Sequence, residues 1–314
     1  MSVQTKASLA DKLSPMIVPS PYADLLEAIP VTARTLPVCG SRCAFWEYGD
    51  PESATTIVMV HGFRGDHHGL EPVVAYLPGV RIVSPDLPGF GDSEPLAGRR
   101  HDLDGYAFWL AAFLEALAPT GRVVILGHSF GSIVVAAALA GGLPADDVVL
   151  VNPIAAPALS GPRGALTRLA VFYYWAAATL PERLGFALLR NRAIVRIMSV
   201  TMTKTRDRAL RRWIHNQHDR YFSAFSDRRV VLDAFRASVG HDVSEFAARI
   251  PQRTVLVAAE NDDITPLAAQ YRLQTLFADA SLVVIHDVGH LIHYEMPAPA
   301  AAQVRAFLDL AGTP

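Results

Sequence analysis

The chain has 314 residues, of which 51% are hydrophobic and 18% charged. That balance predicts a large buried core and excludes a disordered or fibrous protein. A formal net charge of −2 gives no electrostatic basis for binding nucleic acid, and the eleven histidines are scattered without the spacing of metal ligands.

Residues 1–35 are polar and punctuated by prolines, and they read as an N-terminal arm. Lys6 and Lys12 are not followed by a continuous apolar segment, which argues against a secretory signal. No run reaches the ~20 apolar residues needed to cross a bilayer. A cytoplasmic location is therefore the expectation. From Leu36 to Tyr48 a short strand, a Gly-Ser turn and a second strand predict a hairpin. Cys39 and Cys43 lie on it and are expected to be reduced thiols.

Beyond the hairpin, β-branched runs at 56–60, 80–84, 122–126, 147–151, 254–258 and 282–285 alternate with helical patterns at 67–77, 104–117, 130–140, 266–277 and 298–311. Near-continuous apolar strands separated by helices predict a parallel sheet covered on both faces. The alternation breaks after Asn152-Pro153, where residues 154–249 carry helical patterning and no convincing strand. A structureless loop of that length does not fit a compact domain, so the segment reads as an inserted helical subdomain.

The segment Arg122-Val-Val-Ile-Leu-Gly-His-Ser-Phe-Gly131 places Ser129 between a strand and a helix, with Gly127 and Gly131 two positions away on either side. A turn this sharp holds the serine in a strained conformation at the C-terminal edge of the sheet. The N–H of Phe130 then points to where an oxyanion would form. A serine hydroxyl needs an imidazole to take its proton. After the last strand, His286, His290 and His293 compete, and His290 is favoured because it follows Gly289 in the loop beyond the strand end. The imidazole in turn needs an acid to fix its tautomer. The loop after the preceding strand offers Glu260, Asp262 and Asp263, with Asp262 favoured at the loop tip and Asp263 second; Asn152, at the end of the earlier strand, cannot carry the charge. The chain order Ser, Asp, His is itself a discriminator.

Strand 56–60 ends in His61-Gly-Phe-Arg-Gly65, where Gly62 permits close backbone approach and the N–H of Phe63 is a second oxyanion donor. His61 is expected to brace this loop and Asp66 to cap the following helix, at whose start His67 and His68 sit, with no metal held there. Asp86-Leu-Pro-Gly-Phe-Gly-Asp-Ser93 reads as a rigid turn near the site, its Asp86 and Asp92 structural.

Together these motifs resemble the α/β-hydrolase fold superfamily in its capped branch, with Glu260-Asn-Asp262 and Gly289-His290 falling in the family's order. The resemblance covers roughly 36–153 and 250–312. It implies an α/β fold with an eight-stranded, mostly parallel sheet flanked by helices, a helical cap at 154–249 inserted after the sixth strand, and a core of 36–153 and 250–314. It also implies hydrolysis through an acyl-enzyme, with no cofactor. Ser129 sets the chain apart from the epoxide hydrolases and haloalkane dehalogenases of this fold, whose nucleophile is an aspartate. Leu291 stands where hydrolases of C–C bonds usually carry an aromatic residue, Ala259 where a glycine is common, and Ser132 where many relatives have a second glycine.

Residues 159–245 carry a local net charge of +8, against −10 for the rest of the chain. They include a charge-free apolar run, 169–180, expected to line a pocket for a lipophilic ester through Phe172, Tyr173 and Trp175. Packing on the core and contact with an anionic membrane surface are the other readings of that run. The same triad also suits a thioesterase, an amidase or a C–C hydrolase, and the fold can serve as a ligand-binding module with an inactive triad.

Overall fold

A computed structural model describes residues 18–156 and 164–309, and of 164–166 the backbone alone. Its strands are β1 (Val31–Val38), β2 (Ser41–Tyr48), β3 (Thr55–Val60), β4 (Arg81–Pro85), β5 (Arg122–His128), β6 (Asp147–Val151), β7 (Arg253–Ala259) and β8 (Ala280–Ile285). They form one sheet in the order β1-β2-β4-β3-β5-β6-β7-β8. The hairpin β1–β2 is antiparallel and joins β4 antiparallel; every pairing from β4 to β8 is parallel. The six parallel strands therefore present their C-terminal ends along one edge, which is where loops in such sheets carry chemistry. The eight-stranded, mostly parallel sheet matches the expected fold class.

The helices are α1 (Ala23–Glu27), α2 (Glu71–Val74), α3 (Leu103–Leu117), α4 (Phe130–Ala140), α5 (Gly164–Thr179), α6 (Glu182–Leu189), α7 (Arg192–Met202), α8 (Arg208–Tyr221), α9 (Arg228–Gly240), α10 (Leu267–Gln274), α11 (Ile292–Glu295) and α12 (Pro297–Phe307). Two hydrophobic layers sandwich the sheet. One packs α3, α4 and α10 through residues such as Trp109, Phe113, Ile133 and Leu273. The other packs α2 and α12 through Val73, Val74, Ala301 and Val304. Burial on both faces explains why β3, β5 and β6 read as continuous apolar runs rather than alternating ones.

Three local details differ from the sequence reading: the start of β1, the hairpin turn, expected at Gly-Ser, and the helix at 67–77. Strand β1 begins at Val31, inside the stretch read as an arm, because pairing with Tyr48 across the hairpin extends it. Its turn is Cys39-Gly40, both left-handed at φ 53 and 78, and both cysteines are free thiols. The helix expected at 67–77 is broken into a short 3-10 turn, His67–Gly69, and α2, with Pro72 in the first turn of α2. Asp66 caps the 3-10 turn by accepting from the His68 N–H.

Helices α5 to α9 fill the excursion between β6 and β7. The loop after β4 docks onto this insertion by a short bridge: the Gly91 N–H donates to the Ala224 carbonyl at 3.0 Å and the Ser226 N–H to the Gly89 carbonyl at 3.0 Å.

At the opposite edge of the sheet, Asp147 is buried and accepts from Arg122 Nε at 2.6 Å and Arg253 Nε at 2.9 Å, so one carboxylate ties the starts of β5, β6 and β7. Replacing Asp147 with Ala leaves two guanidinium groups short of their acceptor. It should cost about 2–3 kcal/mol in urea unfolding, while the serine at the other edge still reacts with a fluorophosphonate probe. Loss of probe reactivity in a folded variant would contradict this separation of the two edges.

Candidate active site

Ser129 occupies the turn between β5 and α4 with φ 54 and ψ −120, a left-handed conformation that a side chain rarely adopts. The neighbouring glycines leave no room for anything larger. A Cβ on Gly131 would lie 2.2 Å from the Val60 carbonyl oxygen, and one on Gly127 would lie 2.7 Å from that of Gly131. The loop after β3 also packs on this turn, since a Cβ on Gly62 would stand 3.3 Å from the Ser129 Cβ. Ser132 has a defined part here: its Oγ donates to the Ser129 carbonyl at 2.5 Å and accepts from the Ile154 N–H at 3.2 Å, joining the turn to the chain leaving β6.

The Ser129 Oγ lies 2.8 Å from His290 Nε2, and His290 Nδ1 lies 2.7 Å from Asp262 Oδ2. Burial alone would push the Asp262 carboxyl up, but the His290 charge and hydrogen bond, with the N–H groups of Ile264 and Thr265, hold it below its ordinary value. An ionised Asp262 accepts from His290 Nδ1–H, which leaves Nε2 with a lone pair facing the serine hydroxyl. Proton transfer from the hydroxyl to the imidazole needs this arrangement.

The competing residues lie elsewhere. His286 is exposed and pairs with Glu260 at 3.3 Å. Asp263 pairs with Lys204 from the segment between α7 and α8. The buried His293 ring packs on His128, with centroids 4.1 Å apart, and His128 in turn stands 5.5 Å from His290. Burial pushes His128 down to about 3, with the His290 charge acting the same way; burial and the His128 charge hold His293 well below its ordinary value. His218 is likewise pushed down to about 3 by burial and by His215.

No backbone carbonyl among the described residues accepts from the N–H of Phe63 or of Phe130. His61 braces the Phe63 loop: its Nε2 accepts from the Leu87 N–H at 2.8 Å, so Nδ1 carries the proton and donates to the Gly62 carbonyl at 2.8 Å. Arg64 follows, buried to 1% exposure. Its guanidinium donates to the carbonyls of Phe222 and Leu189, each at 2.9 Å, at the C-terminal ends of α8 and α6. Asp86 is buried and structural, accepting from His67 and from the Asp92 N–H.

Of the aromatic residues expected to line a pocket, Tyr173 is half-buried and donates to the Leu188 carbonyl at 3.0 Å, whereas Phe172 and Trp175 lie on the outer face of α5, 59% and 45% exposed. The inward position belongs to Tyr174, whose ring packs on Phe63 at 5.6 Å and on Phe235 at 4.3 Å. Consecutive aromatic residues advance by about 100° around a helix, so they cannot all face one way.

Sequence reasoning also missed a clamp. Asn152, fully buried with φ 44, accepts from the Ala259 N–H at 2.8 Å through Oδ1 and donates from Nδ2 to the His290 carbonyl at 2.8 Å. One amide thus joins the end of β7, from which the loop bearing Asp262 leaves, to the loop bearing the imidazole. The available signal was a polar residue and a proline closing an otherwise apolar strand. Glu295, which accepts from the Lys204 and Thr205 N–H groups at 2.6 and 3.1 Å, had no signal in the sequence.

Residues 57–303 match the model of the alpha/beta hydrolase family. The chain is 29% identical over 275 residues to 2-hydroxy-6-oxononadienedioate/2-hydroxy-6-oxononatrienedioate hydrolase 2 of Pseudomonas putida, covering 82% of this chain and 89% of the relative. It is 22% identical over 280 residues to Lipase 1 of Psychrobacter immobilis, covering 86% and 82%. A thermophilic esterase from Thermogutta terrifontis superposes with a TM-score of 0.70 at 20% identity, over 88% of this chain and 98% of the esterase. With the family model spanning most of the sheet, the elbow and the loops that follow it, the chain belongs to the alpha/beta hydrolase family.

Proposed function

We propose that the protein hydrolyses a lipophilic carboxylic ester or lactone through an acyl-enzyme on Ser129. The observation that carries this reading is the hydrogen-bonded line from Ser129 Oγ through His290 to Asp262. The Ser129 oxygen attacks the carbonyl carbon while its proton passes to His290 Nε2. The N–H groups of Phe63 and Phe130 receive the oxyanion, each worth about 3 kcal/mol of transition-state stabilisation. Collapse expels the alcohol, which takes the proton from His290. Water then attacks the acyl carbon, gives a proton to His290, and the acid leaves as Ser129 recovers its hydrogen. Asp262 stays ionised throughout and stabilises the imidazolium. The insertion serves as a cap, and the Phe63, Tyr174 and Phe235 rings supply apolar surface between it and the sheet edge.

Cleavage of a C–C bond is the second reading. It is favoured by the 29% identity to the Pseudomonas putida hydrolase and disfavoured by Leu291 after His290. A panel of p-nitrophenyl esters, thioesters, lactones and vinylogous diketones separates the readings. The ester reading expects kcat/KM to rise about tenfold or more from acetyl to hexanoyl esters. In Ser129→Ala, turnover should fall about ten-thousand-fold and fluorophosphonate labelling should disappear. Turnover of the diketone alone would favour the second reading, and labelling that survives the substitution would defeat both.

Asn152 positions the triad in this scheme. Its replacement by Ala should lower kcat about ten- to a hundredfold with KM little changed, and slow the probe reaction without abolishing it. Equal loss in kcat and in the fraction folded would reduce Asn152 to a structural part only.

Three buried imidazoles, those of His128, His218 and His293, set an acid limit for the fold. Their folded values lie below the ordinary histidine value, so their neutral forms contribute stability above ~6.5 that is lost as pH falls towards the folded values. For His128 and His218 the window runs down to about 3. Urea unfolding at pH 5 should show uptake of roughly three protons attributable to His128, His218 and His293, each worth about 1.4 kcal/mol per pH unit. Stability unchanged between pH 7 and pH 5 (~two units) would contradict these depressed values.

A further inference from the structure

We propose that the outer face of α5 docks the protein on an anionic membrane surface. Leu169, Phe172 and Trp175 recur at helical spacing on that face and are 63%, 59% and 45% exposed. The Phe172 and Trp175 rings lie against each other, with centroids 5.6 Å apart, and form a continuous aromatic ridge. Exposed Arg168 flanks the ridge one turn before Phe172. Scattered exposed apolar residues need no explanation, but a contiguous aromatic and aliphatic stripe on one helix does.

Charge identifies the occupant. Residues 159–245 carry +8 and the rest of the chain −10, so an anionic surface attracts the insertion and repels the remainder. The same field opposes a symmetric dimer through this face, because two insertions of like charge would meet. An apolar helix that exposes aromatic residues on its outer face, with an arginine beside them, suits the boundary between headgroups and acyl chains. No helix among the described residues is long and apolar enough to cross a membrane, so the proposal is of contact along the surface. Docking stands independently of the catalytic reading, because it is measured without turnover.

The full chain is sedimented with ether-linked phosphatidylcholine vesicles, with and without phosphatidylglycerol, at low and high salt. Binding should be about tenfold or more tighter with the anionic lipid and should fall as salt rises. Of the four tryptophans, Trp109 and Trp213 are buried and Trp46 is stacked on His67, so a blue shift of emission on binding reports Trp175. Phe172→Ser combined with Trp175→Ser should weaken binding about tenfold or more, with the circular dichroism and the thermal midpoint retained. Arg168→Glu should weaken binding to the anionic vesicles only, by about fivefold or more. Equal binding to neutral and anionic vesicles, or no binding by the folded protein, overturns the proposal. So does a concentration-dependent dimer that the double substitution disperses, since a second copy would then cover the face.

Discussion

Everything at the active edge depends on the fit of one turn against the end of the central strand. The chain passes from β5 into α4 through Ser129 in a left-handed conformation, and it can do so only because Gly131 lies flush against the Val60 and His61 carbonyls. That contact brings the helix N-terminus, Ser129 and the loop after β3 within van der Waals reach of one another. Strain at Ser129 is tolerated because the surrounding packing over-determines it. A hydroxyl on a relaxed loop could rotate away from its base; here the backbone has no alternative place to go.

The two partners of Ser129, His290 and Asp262, come from separate loops, and loops are held less firmly than strands. The molecule compensates with polar ties. Asn152 joins the end of β7 to the His290 loop through one amide, and the Ile264 and Thr265 N–H groups orient Asp262 from its own loop. From outside, the segment after α7 is fastened by Glu295 and by the pair of Lys204 with Asp263. Behind His290 lie His128 and His293, buried and neutral, which fill space without placing a positive charge beside the imidazolium that catalysis would form.

The fold was legible because both period and order were explicit. The six parallel strands are runs of β-branched residues, and α3, α4, α10 and α12 fall close to their expected spans. Ser129, His290 and Asp262 could be singled out because each follows a strand, and all the parallel strands end on the same edge. The orientation of α5 was not legible. A helix that is apolar nearly all round offers no polar stripe to set its phase, so Tyr174 could not be told from Phe172 or Trp175 as the inward residue. The role of Asn152 was equally hidden, since it depends on where two distant loops end and not on its neighbours in the chain.

Arg64 bears on how the insertion relates to the chemistry below it. Its guanidinium spends its hydrogen bonds on carbonyls at the ends of α6 and α8, and its backbone is one residue from the Phe63 N–H. Lifting those helices would strand a cation in an apolar crevice beneath the Phe222 and Phe225 rings. The residue that follows Phe63 is thereby tied to the ends of α6 and α8, so under the proposed function a shift of those helices would be felt at the N–H offered to the oxyanion.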